Sequence, residues 1–190
     1  MSSLIDTAAA TLESMGWEVL RAKDRTAAGQ ILQELVGEDR RAVFHRPSLA
    51  GFLDLSEILG SRLSPEATRE VVLAADFGIT GATAVVAETG SLMLAEEDGS
   101  GRLISNLPYR HIALATSDQV VSTLGEALAR AGWRRSANAS EGRPIPKYIS
   151  FITGPSKTGD IEFEIVAGMH GPRYVWLILI DSPLDRQVSL

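Results

Sequence analysis

Residues 108–132, PYRHIALATSDQVVSTLGEALARAG, carry the reading that decides the fold. Pro108 precedes a run, 111–115, apolar enough for a strand buried on both faces, and such strands belong to parallel sheets covered by helices. Ser117 and Asp118 then offer side-chain oxygens to the free amides of a helix start; the expected helix runs to about Ala131 and stops at Gly132. A strand leading into a helix is the repeating unit of an α/β protein.

The same alternation extends in both directions. Toward the N-terminus, Leu4, Ile5, Ala8, Leu12 and Met15 recur at helical spacing before Gly16, residues 17–20 read as a short strand, and Thr26 is placed to cap a helix carrying Ile31, Leu32, Leu35 and Val36 to Gly37. Residues 42–45 form a second short strand, and the stretch 49–59 holds no more than a short helix. Ser64 and Pro65 open a helix expected to reach about Ala75. After Gly78-Ile79-Thr80-Gly81, the apolar runs 82–87 and 91–95 flank Glu88-Thr89-Gly90, the pattern of a β-hairpin. Further on, the Arg-, Ser-, Gly- and Pro-rich segment 134–147 reads as a surface loop, and strands are expected at Tyr148–Ile152 and Tyr174–Ile180, near each other in the sheet, so that the loops 154–162 and 168–172 they border form one site. The expected fold class is α/β: an open, mostly parallel sheet with helices on both faces, in one domain spanning 1–190.

Composition narrows the function classes. With 190 residues, 45% of them hydrophobic and 22% charged, the chain can bury about 70% of its unfolded surface in one core. A net charge of -6 argues against nucleic acid as partner, because such binding draws on neutralising phosphates. The absence of cysteine excludes disulfides, thiolate nucleophiles and Cys-ligated zinc or iron–sulfur clusters in this chain. The first residues carry neither a basic segment nor a long apolar one, so a cytoplasmic protein is expected. The most apolar stretch, Tyr174–Ile180, is far short of the roughly 20 residues of a membrane span.

Three segments could carry chemistry. Thr153-Gly154-Pro155-Ser156-Lys157-Thr158-Gly159-Asp160-Ile161-Glu162 follows an apolar strand, and loops at strand carboxyl ends are where open α/β sheets bind ligands. Gly154 allows close backbone approach, Ser156 and Thr158 add hydroxyls and Lys157 a cation, so the segment either cradles a small anion or is a structural turn. It is not a Walker A loop: Ser156 precedes the lysine and Phe151 stands where the first glycine belongs. In Gly168-Met169-His170-Gly171-Pro172, His170 is the best general acid–base candidate, with loop capping as the competing role. Glu88 could act as nucleophile or base, though turn chemistry explains it as well. No metal is expected, since His45, His111 and His170 lack the spacing of a helical metal pair, and no Rossmann-type cofactor is expected, since Gly78-Ile79-Thr80-Gly81 lacks the dinucleotide fingerprint.

Gly78-Ile79-Thr80 with Ala87-Glu88-Thr89-Gly90-Ser91, Leu107-Pro108-Tyr109-Arg110-His111-Ile112, the 153–162 segment and His170-Gly171-Pro172 together resemble the LUD domain of lactate-utilisation proteins, in particular its small LutC (YkgG) type. The resemblance covers about residues 70–181, with 1–63 weakly matched, and departs at Gly159, where alanine is expected before Asp160. It implies a fold like that of ribose-phosphate isomerases, glucosamine-phosphate deaminases and CoA transferases, and membership of a three-protein system oxidising L-lactate to pyruvate in which iron–sulfur partners carry the clusters. On that basis the chain is a non-redox subunit needing no cofactor. It is alternatively a stand-alone enzyme with a CoA-transferase-like or phosphosugar-type pocket. The residues implied in ligand binding are Gly154, Ser156, Lys157, Thr158, Asp160 and Gly171, with His170 and Glu88 as acid–base candidates.

Overall fold

A computed structural model describes residues 3–45, 53–64, 66–132, 146–159, 165–168 and 170–181. Five parallel strands form the main sheet: β1 (Glu18–Ala22), β2 (Ala42–Phe44), β3 (Phe77–Gly81), β6 (Arg110–Thr116) and β11 (Tyr174–Ile180), in the order β1-β11-β6-β3-β2. β11 and β6 pair over their full length, from Tyr174 opposite Arg110 to Ile180 opposite Thr116, and their apolar runs suit strands covered on both faces.

Strand periodicity sorts these side chains into two cores. Ile112 and Leu114 of β6, with Ile178 and Ile180 of β11, pack against Ala28, Leu32 and Val36 of α2 (Arg25–Val36) and Leu55 and Leu59 of α3 (Leu55–Leu59). Ala113, Ala115, Val175, Leu177 and Leu179 face the other way, onto Ala8 and Leu12 of α1 (Leu4–Met15) and onto a second sheet. That sheet has the order β7-β4-β5-β8, built from β4 (Ala84–Val86), β5 (Ser91–Glu96), β7 (Val120–Val121) and β8 (Tyr148–Ile152). Its outer face packs Ala84, Val86 and Met93 against Ala127 of α6 (Leu124–Arg130). A short antiparallel ribbon joins β9 (Lys157–Gly159) to β10 (Ile165–Ala167).

Several sequence expectations change. Gly78-Ile79-Thr80-Gly81, given no element in the sequence, is the body of β3, buried throughout. Gly78 is required there because α5 (Ser100–Asn106) crosses it: a Cβ at Gly78 would stand 1.9 Å from the Ile104 carbonyl oxygen. The helix expected from Ser64 begins only at Arg69, capped by Thr68, and is α4 (Arg69–Ala74). Asp24, not Thr26, caps α2, accepting from Ala27 N at 2.8 Å. Ser117 and Asp118 open a single 3-10 turn that leads into β7, and the helix proper starts after Thr123, whose hydroxyl accepts from Glu126 N. The hairpin across Glu88-Thr89-Gly90 is present as β4–β5, with Gly90 at φ 62. Strands Tyr148–Ile152 and Tyr174–Ile180 are not neighbours: the first pairs antiparallel with β5 in the second sheet, the second lies in the main sheet. The expected loop 134–147 lies outside the described residues except for Pro146 and Lys147.

Gly78→Ala must displace α5 from β3, and overpacking of this kind costs about 2 kcal/mol, a fall of about 4–8 °C in melting temperature. Gly125→Ala in α6 meets nothing closer than Thr123 Oγ1 at 3.8 Å and should raise the melting temperature by about 1–3 °C through its gain in helix propensity. Thermal melts of the two variants beside the parent chain check both signs.

Candidate functional site

The segments singled out in the sequence meet at the amino edge of the parallel sheet. Gly154, at φ 100, lies against the last turn of α1: a Cβ there would stand 2.3 Å from Met15 O. Pro155 Cδ lies 3.0 Å from the Cβ position of Gly16, the left-handed residue closing α1. Gly90, on the hairpin, sits over the same turn, its Cβ position 2.8 Å from Thr11 O. The hydroxyls of Ser91 and Thr153 are 2.7 Å apart and tie hairpin to loop.

Ser156 joins this loop to 168–172. Its amide donates to Pro172 O at 2.9 Å, its carbonyl accepts from Gly168 N at 2.9 Å, and its Oγ accepts from the His170 amide at 3.2 Å. Gly171 packs on it, with its Cβ position 3.3 Å from Ser156 Cβ. Ser156 thus holds the His170 backbone, leaving the exposed imidazole to face solvent. Beside it, Arg173 donates its amide to Tyr109 O at 3.0 Å and Nη1 to the Tyr109 hydroxyl at 3.1 Å. Arg110 stacks over Tyr109 and Tyr174, both more than 40% exposed.

Lys157 is exposed and its Nζ lies 3.4 Å from the Gly16 Cβ position, where a cation also favours the carbonyl end of α1. Thr158 enters this region through the backbone of β9, and Asp160 lies outside the described residues. Glu88 takes another role: its carboxylate accepts from Leu124 N in the first turn of α6, while its own amide donates to Ser122 O. The loops converge, but the reason differs from the expected one. They follow or precede strands of different sheets, and both lie at the amino edge, opposite the carboxyl edge where α/β sheets commonly bind ligands.

At that carboxyl edge the structure gathers three residues the motifs did not mark. His45 directly follows β2 and donates its amide to Ile79 O at 2.9 Å; Glu96 closes β5; Asp98 precedes α5. His45 Nε2 lies 3.7 Å from Glu96 Oε2 and 3.8 Å from Asp98 Oδ1. Burial pushes the His45 pKa down, against the upward pull of Glu96 and Asp98. Asp98 is held below the usual carboxylate range by the amide and hydroxyl of Ser100. Only proximity in space reveals this group, because positions 45 and 96–98 sit on unrelated segments.

Between the edges, His111 sits opposite Gly78 and Val175, fully buried, with Nε2 2.9 Å from Thr80 Oγ1 and its ring edge-on to Trp17. Burial lowers its pKa to about 3.

The LUD domain family model matches residues 5–180, and the chain belongs to that family. The chain is 35% identical to Lactate utilization protein C of Shouchella clausii over 146 residues, 76% of this chain and 61% of that protein. The protein of the same name from Halalkalibacterium halodurans is 36% identical over 108 residues, 57% of this chain and 45% of the relative, and that of Bacillus subtilis 34% over 110, 57% and 43%. The chain thus spans about half the length of the curated relatives it matches. A DUF162 family protein from Deinococcus radiodurans, solved at 1.70 Å, shares the fold with a TM-score of 0.64 at 21% identity, over 93% of this chain and 96% of its own. Among the described residues no helix is long and apolar enough to cross a membrane.

Burial holds the His111 pKa at about 3 in the folded chain, whereas in the unfolded chain the imidazole takes up its proton near the ordinary value of 6.5. The stability this residue confers is therefore intact above pH 6.5 and lost as pH falls toward 3, at up to about 1.4 kcal/mol per pH unit. Urea denaturation between pH 7 and 5 should show a decline that His111→Asn reduces; an unchanged slope in the variant would assign the decline to other groups.

Proposed function

We propose that the chain is a non-redox subunit of an L-lactate utilisation system, acting in the cytoplasm beside partners that carry the iron–sulfur clusters through which L-lactate becomes pyruvate. The observation that carries this reading is the 35% identity to Lactate utilization protein C across 76% of the chain. The composition supports the division of labour: without a cysteine, the chain has no thiolate with which to hold a cluster, and on this reading the electrons pass through its partners.

We place the working surface at the amino-edge junction. Ser156 fixes the His170 backbone, Gly154 and Gly171 allow the close approaches that bring their loops together, and the exposed imidazole presents a nitrogen donor or acceptor to a bound group. Lys157, Arg110 and Arg173 supply positive charge for a small carboxylate or for an acidic partner surface, and Thr158 and Asp160 extend the same segment. Glu88 stays outside this role, its carboxylate being used at the start of α6.

Growth on L-lactate as sole carbon source, in a strain lacking the gene and complemented with variants, tests the reading. His170→Ala should slow growth several-fold with the chain folded and normally abundant, whereas Glu88→Gln, whose amide oxygen still accepts from Leu124 N, should grow as the parent does. A strain lacking the gene that grows normally on lactate would sink the pathway reading and favour a stand-alone enzyme with a CoA-transferase-like or phosphosugar pocket. Full growth with His170→Ala would instead sink the placement of the site.

A further inference from the structure

We propose that His45, Glu96 and Asp98 bind one divalent transition-metal ion of the zinc type at the carboxyl edge of the parallel sheet. The three side chains each bring a ligand atom within 4.8 Å of the others. The Nε2 separations of 3.7 and 3.8 Å are too long for hydrogen bonds, which end near 3.2 Å. They come within a few tenths of an ångström of the separation of two ligands on a common ion: bonds of about 2.1 Å at tetrahedral to trigonal angles place donor atoms roughly 3.4–3.6 Å apart.

Burial supplies a second, independent reason. The Glu96 side chain is only 2% exposed, its Oε2 accepts from Gly101 N at 2.7 Å, and its Oε1 is buried with no hydrogen-bond partner. A buried carboxylate with one oxygen unsatisfied is costly unless a cation compensates it. Among the described residues no Lys or Arg forms an ion pair with Glu96, and the nitrogen that faces its carboxylate is His45 Nε2 at 3.7 Å.

The surroundings resemble those of a metal site. Ser100 orients Asp98 with its amide at 3.0 Å and its hydroxyl at 2.8 Å, and the Gly101 amide orients Glu96, the outer contacts that fix ligating carboxylates. Gly101 permits this because a Cβ there would stand 2.8 Å from Glu96 Oε1. Asp98, 62% exposed on its side chain, opens the cluster to solvent, so an ion has an entry path and an open coordination position. One imidazole and two carboxylates favour Zn²⁺ over Mn²⁺ by the usual affinity order and give Mg²⁺ or Ca²⁺ too few oxygens. The sequence reading expected no metal because it sought histidines paired on one helix, whereas these ligands come from two distant segments.

The tag-free chain, stripped with chelator and dialysed, tests the proposal without reference to lactate. Titration with Zn²⁺ by calorimetry should give one equivalent bound, and titration with Co²⁺ should give a saturable visible absorption band that Zn²⁺ displaces. His45→Ala, Glu96→Gln and Asp98→Asn should each weaken binding at least tenfold. Asp98→Asn changes an exposed side chain and Glu96→Gln keeps an acceptor for Gly101 N, so both should remain folded by circular dichroism. Absence of saturable binding, or an affinity that survives all three substitutions, would overturn the site and leave a buried polar cluster.

Discussion

The close seating of the last turn of α1 against two loops is the constraint from which the amino edge is built. Thr11 O and Met15 O lie where side chains at Gly90 and Gly154 would have to be, so hairpin and 153–157 loop pack on bare backbone. That contact positions Ser156, whose three hydrogen bonds then hold 168–172 and so set the entry of β11 into the main sheet. The first helix is therefore the platform on which the later motifs assemble.

The same economy of space explains the centre. α5 lies directly on Gly78, and the Gly101 amide reaches the Glu96 carboxylate at its other end. One seven-residue helix thereby links the buried middle of the main sheet to the polar cluster at the carboxyl edge. The opposite face is filled by larger residues, Ile112, Leu114, Ile178 and Ile180, against α2.

What the sequence disclosed, it disclosed through local physics. The unbroken apolar run of β11 and the turn residues of the β4–β5 hairpin announce themselves because strand burial and hairpin geometry restrict residue type over a few positions. β3 went unassigned because its glycine answers to α5, a partner more than twenty residues downstream, and two glycines weaken the pattern by which a strand shows itself. Ser117 and Asp118 have the chemistry of a helix cap but serve a 3-10 turn, a choice set by the Gln119 side chain reaching back to Thr116. The joining of the Ser156 and His170 segments was legible as motif chemistry, yet the supposed cause, adjacent strands, was wrong, since sheet partners are chosen over long range. The carboxyl-edge cluster had no local pattern at all.

The order β1-β11-β6-β3-β2 has a consequence for how the chain acquires this structure. β1 precedes the other strands in the chain and has, among the described residues, a single strand neighbour, β11, and the Trp176 indole that donates to Glu18 Oε2 at 2.6 Å lies 158 positions away. During translation the first strand must wait, with its edge unpaired, until nearly every other element has left the ribosome. Contacts so remote in sequence slow folding, and an exposed edge is open to pairing with other chains, so this molecule depends on protection of its nascent state more than its size alone suggests.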